Sequence, residues 1–271
     1  MVCRVEGRSG GKALVCLCVL GFVTVGYGQT DFVSQQIEML KAKDVAVRIQ
    51  AAKALGEARN PSAVTPLIAA LWDLDRYSRT DFLDAAVDAL GKIGAPAVEP
   101  LIAASKKPCV YGFSHLYEFR ALGKIGGPAV EPLIAAIGSP SSGLDRRGPP
   151  RARPAFRASR SSGLDRRLAA YALGEIKDPR SAEFLMGALR ARDYEVIAGA
   201  YAFFTARGDP DSESAFIEAI DKFGNAQMAQ DLLNCGNSKL EADAQWWAKR
   251  HGYRIQSTPG GGGGLRWGGS R

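Results

Sequence analysis

The chain has 271 residues, of which 46% are hydrophobic, so it is long enough to bury a sizeable core in one or two domains. Its net charge is +7, but the excess of basic residues lies in 1–12, 141–167 and 257–271, and the remainder is slightly acidic. This distribution argues against nucleic-acid binding by the folded body, and we expect no nucleic-acid partner.

The first 28 residues have the pattern of a cleavable secretory signal peptide. Three basic residues precede an apolar run of about 13 residues over 13–25, which is short for a membrane span. Small residues at 26 and 28 favour cleavage before Gln29. We expect an exported protein, periplasmic or extracellular, with no membrane insertion of the mature chain. An uncleaved anchor and a wrongly assigned start remain as alternatives.

The body begins with an amphipathic pattern over 31–41, which predicts a terminal helix that covers one end of the structure. The dipeptide Leu-Gly then recurs four times, with its glycine at Gly56, Gly91, Gly123 and Gly174. The first two intervals are 35 and 32 residues, and the third is 51. A repeat period of about 20–50 residues is typical of a solenoid.

A duplicated heptapeptide explains the long third interval. The sequence Ser-Ser-Gly-Leu-Asp-Arg-Arg occupies both 141–147 and 161–167, 20 positions apart. Arg, Pro, Ala and Ser dominate the residues between the two copies, and this composition cannot form a core. We therefore expect 148–167 to be a disordered insert. It is either a duplication or gene-prediction error, or a basic arm for an anionic surface.

Each repeated unit contains two predicted helices. In the first unit, an apolar stripe over 47–55 ends near Gly56, and this glycine either avoids a clash with a packed neighbour or ends the helix. Asn60 and Pro61 then supply an N-cap and a proline at the first helical position. Because Pro66 follows about one turn later, we expect an irregular first turn and a regular second helix only from Pro66.

Three units carry closely related motifs: AAKALGEARNPSAVTPLIAAL from residue 51, AAVDALGKIGAPAVEPLIAA from residue 85 and FRALGKIGGPAVEPLIAAI from residue 119. The pattern resembles the HEAT repeat, specifically the short type named after phycobilisome (PBS) lyases. The resemblance implies an all-α fold, a right-handed α-solenoid of about five HEAT-like helix pairs with helical end caps.

The predicted domain organisation follows from these elements. We expect a solenoid over 29–253, whose fifth unit is degenerate and whose last part, 225–253, is a C-terminal helical cap. In this cap, Ser238 and Glu241 form a predicted capping box. Residues 254–271 are rich in Gly and are expected to form a flexible tail.

The residues for catalysis are sparse. The chain has two histidines, His115 and His251, and Glu118 shares a helix face with His115, but two such residues are too few for a metal site. Deoxyhypusine hydroxylases contain similar repeats with adjacent His-Glu pairs, and no such pair occurs here. We expect no cofactor and no enzymatic activity.

Once the signal is removed, Cys109 and Cys235 remain, in different repeats, and are expected to be unpaired.

Aromatic residues concentrate around the second and third units, and four of them are candidates for contact with a partner. They are Trp72, Tyr77, Tyr111 and Tyr117. The alternative is that they fill gaps beside alanine-rich helices.

The sequence thus favours an exported, monomeric scaffold that binds a protein or peptide along one face. The resemblance leaves a second reading open, a chromophore chaperone similar to bilin lyases, although such lyases work inside the cell or plastid.

Overall fold

The structure is a computed structural model that describes residues 31–72, 80–107, 114–138, 166–258 and 264–269. Within these ranges it is built from α-helices and short 3₁₀ turns, with no strand. The helices are α1 (31–39), α2 (Val45–Ala58), α3 (Val64–Leu71), α4 (Thr80–Ile93), α5 (Val98–Ser105), α6 (Ser114–Ile125), α7 (Val130–Ile137), α8 (166–175), α9 (Pro179–Arg190), α10 (Tyr194–Gly199), α11 (Tyr201–Arg207), α12 (Glu213–Phe223), α13 (Ala226–Leu233) and α14 (Ser238–His251).

The helices form two layers of successive pairs. The first helices of the units are α2, α4, α6, α8 and the broken pair α10–α11, and the second helices are α3, α5, α7, α9 and α12. Helix α1 precedes the array. After it, α13 and α14 pack on each other, and α14 packs on α12. The sequence-based prediction of an all-α solenoid with five helix pairs is confirmed.

The second helices begin as the prolines predict. The Asn60 side chain accepts a hydrogen bond from the backbone N–H of Ser62, and Pro61–Ala63 forms a 3₁₀ turn before α3. The regular helix begins at Val64, so Pro66 lies in its first turn, where the missing N–H has no helical partner to lose. The irregular turn is confirmed, and the regular helix begins two residues earlier than expected.

The repeated Leu-Gly glycine is a site of close helix packing. A Cβ atom on Gly56 would lie 2.8 Å from the Cα atom of Ala89 in α4, and one on Gly91 would lie 2.8 Å from the Cβ atom of Lys124 in α6. Helix α2 continues past Gly56 and ends at Ala58. Of the two roles that the sequence left open, close packing is therefore the one that the structure supports.

The two layers are spaced differently. The first helices α2, α4 and α6 pack closely at their glycines, whereas the second helices α3, α5 and α7 touch each other only sparsely. The solvent-exposed side of α2, α4, α6, α8 and α11 is called here the first-helix face.

The predicted disordered insert, 148–167, extends two residues too far at its C-terminal end. Arg166 and Arg167, which we assigned to it, lie in the first turn of α8. The Arg166 guanidinium donates to Asp193 at 2.7 Å and also to Glu195 and the carbonyl oxygen of Ile137. These contacts tie α8 to its neighbours, so both arginines belong to the folded body. The remaining residues of the predicted insert lie outside the described residues, as does the predicted signal peptide.

The helical cap forms with a shifted N-cap. Asn237, rather than Ser238, accepts hydrogen bonds from the backbone N–H groups of Lys239 and Leu240. Glu241 still reaches back, accepting a hydrogen bond from the N–H of Gly236. The predicted capping box between Ser238 and Glu241 is therefore wrong: Asn237, one position earlier, caps two helical N–H groups, and Glu241 bonds the residue before the N-cap.

Candidate partner-binding face

Ion pairs between successive units run along the first-helix face. Asp84 of α4 lies 2.7 Å from Arg120 of α6, and Asp88 lies 3.0 Å from Lys124. In the preceding unit, Lys92 donates a hydrogen bond to Glu57, and this contact lowers the pKa of the Glu57 carboxyl. Such exposed pairs add little stability singly, because solvent and salt screen them. Their main consequence is a polar surface with matched charges along the array.

An exposed apolar residue interrupts this polar surface at its centre. Leu116 of α6 is 36% exposed and lies one helical turn before Arg120, on the same side of the helix. Its neighbour Tyr117 is half-buried, and the Arg120 guanidinium lies 5.4 Å from the centre of the Tyr117 ring. Leucine and tyrosine surrounded by charged residues have the composition of an interface core with a polar rim.

The structure places two of the four predicted contact residues. Trp72 is half-buried at the end of α3, and its indole N–H donates to the Glu118 carboxylate at 2.8 Å. Tyr117 lies on α6 beside Leu116, as described above. Tyr77 and Tyr111 lie outside the described residues. Their contact with a partner, for all four residues, stays a prediction.

Trp72 belongs to a buried polar cluster. The Glu118 side chain is fully buried, and its second oxygen lies 3.1 Å from Nδ1 of His115. The Trp72 and His115 rings meet edge to face with centroids 6.0 Å apart. Because a buried carboxylate is costly unless hydrogen-bonded, this cluster locks α3 to α6. Sequence reasoning found the His115–Glu118 pairing but missed Trp72, which is 46 positions away from Glu118.

The described residues also contain no group of three His, Cys, Asp or Glu side chains that could hold a metal ion. Cys235 is a free, buried thiol, and burial raises its pKa. Cys109 lies outside the described residues.

The C-terminal segment is partly docked, contrary to the expected flexible tail. The backbone N–H groups of Trp267 and Gly268 donate to the carbonyl oxygens of Cys235 and Thr205, at 2.8 and 3.0 Å. The Trp267 ring packs edge to face on Phe216 with centroids 6.1 Å apart. The prediction of a flexible tail rested on glycine content alone, and these long-range contacts contradict it for residues 264–269.

Beside this docked segment lies a cavity of about 500 Å³ at the C-terminal end of the first-helix face. Its walls come from α8, α11, α13 and the segment itself, and they combine aromatic, acidic and basic side chains. The main contributors are Tyr171, Glu175, Tyr201, Asp231 and Arg266. The Tyr201 hydroxyl donates to Asp231 at 2.5 Å, and Gln227 donates to the other oxygen of that carboxylate at 2.9 Å.

Two sequence families match the chain, one described as HEAT repeats over residues 33–111 and one as PBS lyase HEAT-like repeat over residues 165–191. Comparison with curated proteins finds no match. Among solved structures, the crystal structure of an engineered protein from the Northeast Structural Genomics Consortium aligns over 83% of this chain and 98% of its own, with 21% identity. Its TM-score of 0.27 is too low to support an argument.

No helix within the described ranges combines the length and apolar character that a membrane crossing requires. The repeated motifs, the paired helices and both family matches agree. The chain is a HEAT-repeat protein, and its units are of the PBS lyase HEAT-like type.

Proposed function

We propose that this chain is an exported, non-enzymatic scaffold that binds a partner protein on the first-helix face. The observation that carries the proposal is Leu116, an exposed leucine at the centre of a face otherwise lined by paired charges. An apolar anchor with a charged rim suits a protein partner, whereas a polyanion such as nucleic acid would need an excess of cations there. The chain acts as a monomer in this proposal.

The charged rim also limits which partner fits. The cations Arg120 and Lys124 already have carboxylate partners on α4, so a partner gains little from adding more acid there. Affinity would instead come from burying Leu116 and the exposed part of Tyr117. We therefore expect a partner segment with an apolar or aromatic side chain that covers these two residues.

A pull-down from the exported fraction with the tagged full chain tests the proposal. Leu116→Glu places a charge at the centre of the proposed contact and should weaken capture at least about 30-fold, equivalent to about 2 kcal/mol at a hot spot. Phe32→Glu is the matched control, because Phe32 is also an exposed apolar residue, 44% exposed, but lies on α1 outside the face.

The expected result is that the wild type and Phe32→Glu capture the same partner and Leu116→Glu does not, with all three showing the same helical circular dichroism. Undiminished capture by Leu116→Glu would show that this face is not the binding surface. Recovery of the chain from the cytoplasm alone, with residues 1–28 still attached, would contradict the proposed export.

A chromophore chaperone similar to bilin lyases is a second candidate, favoured by the match of residues 165–191 to the PBS lyase HEAT-like repeat. It predicts that the purified chain carries or binds a linear tetrapyrrole, which visible absorbance detects directly. A colourless protein that binds no added bilin, but captures a partner through Leu116, supports the scaffold and rejects the chaperone.

A further inference from the structure

The docked C-terminal segment occupies a groove made by the last unit and the cap. Its floor contains carbonyl groups that the helices themselves leave without helical partners. Thr205 lies in the last turn of α11, and Cys235 lies just after α13. The N–H groups of Trp267 and Gly268 reach these two carbonyls, so the segment supplies the hydrogen bonds that the helix ends lack.

A chain of aromatic rings forms the apolar part of the groove. The Trp267 ring packs on Phe216, whose ring in turn packs edge to face on Phe204 with centroids 6.1 Å apart. Phe203 and Phe204 stand where the preceding unit has Leu173 and Gly174. The departure from the repeat motif in the fifth unit therefore supplies Phe204, which packs behind the Phe216 ring that Trp267 contacts.

The groove selects glycine beside the tryptophan. A Cβ atom on Gly208 would overlap the backbone of Gly268, so the end of α11 and the C-terminal segment touch backbone to backbone at this point. Gly268 itself has a φ of 67°, a left-handed conformation that other residues adopt at a cost. A Cβ atom on Gly268 would meet only the Cα atom of Gly208, at 3.9 Å, so the positive φ, rather than a lack of space, favours glycine directly after the tryptophan.

The cavity next to the groove adds a charge preference. Glu175 and Asp231 are acidic residues in its wall, and Arg266, the residue before Trp267, lines the same cavity. Tyr171 and Tyr201 provide aromatic surface that a guanidinium group can contact. A basic residue before the tryptophan is therefore complementary to this cavity in charge and in shape.

We propose that the groove between α11, α12 and the end of α13 is a peptide-docking site, which residues 264–269 occupy within the same chain. Its ligand from another protein is a segment with a basic residue, then tryptophan, then glycine, which turns at the tryptophan and glycine as residues 266–269 do. Such a segment binds when the chain's own C-terminal segment leaves. This inference goes beyond the proposed scaffold function and does not depend on Leu116, which lies in the third unit.

Fluorescence anisotropy with a labelled peptide of residues 257–271 tests the site. The protein is the full chain in three forms: wild type, Trp267→Ala and Gly268→Pro. Trp267→Ala removes the ring that packs on Phe216, and Gly268→Pro removes the N–H donated to Thr205 and forbids the positive φ. Both changes lie outside the helices, so the helical array should fold unchanged, which circular dichroism checks.

Both variants should bind the peptide at least about 10-fold more tightly than the wild type, whose own segment competes at an effective concentration on the order of 1 mM. A peptide in which alanine replaces the tryptophan should bind neither variant. Equal affinity for wild type and variants, no binding to either variant, or equal binding of the alanine peptide would each overturn the proposal. Because the Leu116→Glu pull-down uses another surface, failure here leaves the scaffold proposal intact.

Discussion

Replacing Gly56 by alanine gives a quantitative test of how the units stack. The new Cβ atom would lie 2.8 Å from the Cα atom of Ala89 and 3.1 Å from its Cβ atom, closer than such atoms approach in folded proteins. The obstacle is backbone, so α2 and α4 must move apart. Overpacking of this kind costs about 1–3 kcal/mol.

The same substitution also has a favourable component, since alanine stabilises a helix interior by about 1 kcal/mol relative to glycine. We therefore expect Gly56→Ala to lower the free energy of unfolding by about 1 kcal/mol, within a range of about 0–2 kcal/mol. Gly187 in α9 provides the matched control, because a Cβ atom there has no neighbour within 4 Å. Gly187→Ala should raise the free energy of unfolding by about 0.5–1 kcal/mol.

Urea denaturation followed by circular dichroism measures both changes. Because the chain is a repeat protein, the transition midpoint and slope should be compared with those of the wild type before a free energy is assigned. A midpoint that rises equally in both variants would refute the close-packing role of Gly56. It would mean that α2 and α4 separate at little cost, and that helix propensity alone determines the outcome.

Three further predictions concern buried polar groups. Arg166→Ala should lower the free energy of unfolding by about 3–5 kcal/mol, since Asp193 is nearly buried and loses its cation; a change below about 1 kcal/mol in urea denaturation would contradict this. Trp72→Phe removes the indole donor from Glu118 and should cost about 1–3 kcal/mol in the same assay, whereas a pure contact role predicts unchanged stability and weaker partner capture. The Cys235 thiol, buried and with a raised pKa, should react with iodoacetamide at pH 8 much more slowly in the folded chain than in urea, as peptide mass spectrometry can follow.

The repeated part of the fold was predictable because it is encoded locally. The apolar stripe over 47–55, the N-cap and proline at Asn60 and Pro61, and the recurring glycine each act within one unit or between adjacent units. Regular spacing of such signals indicates repeated helix pairs in any protein. This local encoding also explains the ambiguity at Gly56, since only the neighbouring helix shows which of its two roles applies.

The errors arose where distant residues determine the structure. Arg166 belongs to a heptapeptide that also occurs at 141–147, and only its contacts with Asp193 and Glu195 identify this copy as part of the body. Trp72 lies in a sequence context typical of a surface aromatic, yet its indole N–H donates to a buried carboxylate three helices later, on α6. A sequence signal was nevertheless available for Arg166. Asp193 and Glu195 in the following unit are two nearby acids, and such a pair needs a cation close to it when the helices pack.

The C-terminal segment shows how the end of a repeat array can acquire a function. A solenoid must cover the apolar surface of its last unit, and a further helix pair does this most stably. Here α13 and α14 cover only part of it, and Trp267 completes the cover at Phe216 with two backbone hydrogen bonds. A cover of one ring and two hydrogen bonds is far weaker than a packed helix, so it can be exchanged without unfolding the array. We therefore expect a ligand to bind where the fifth unit departs from the repeat motif, because displacing the C-terminal segment there costs little free energy.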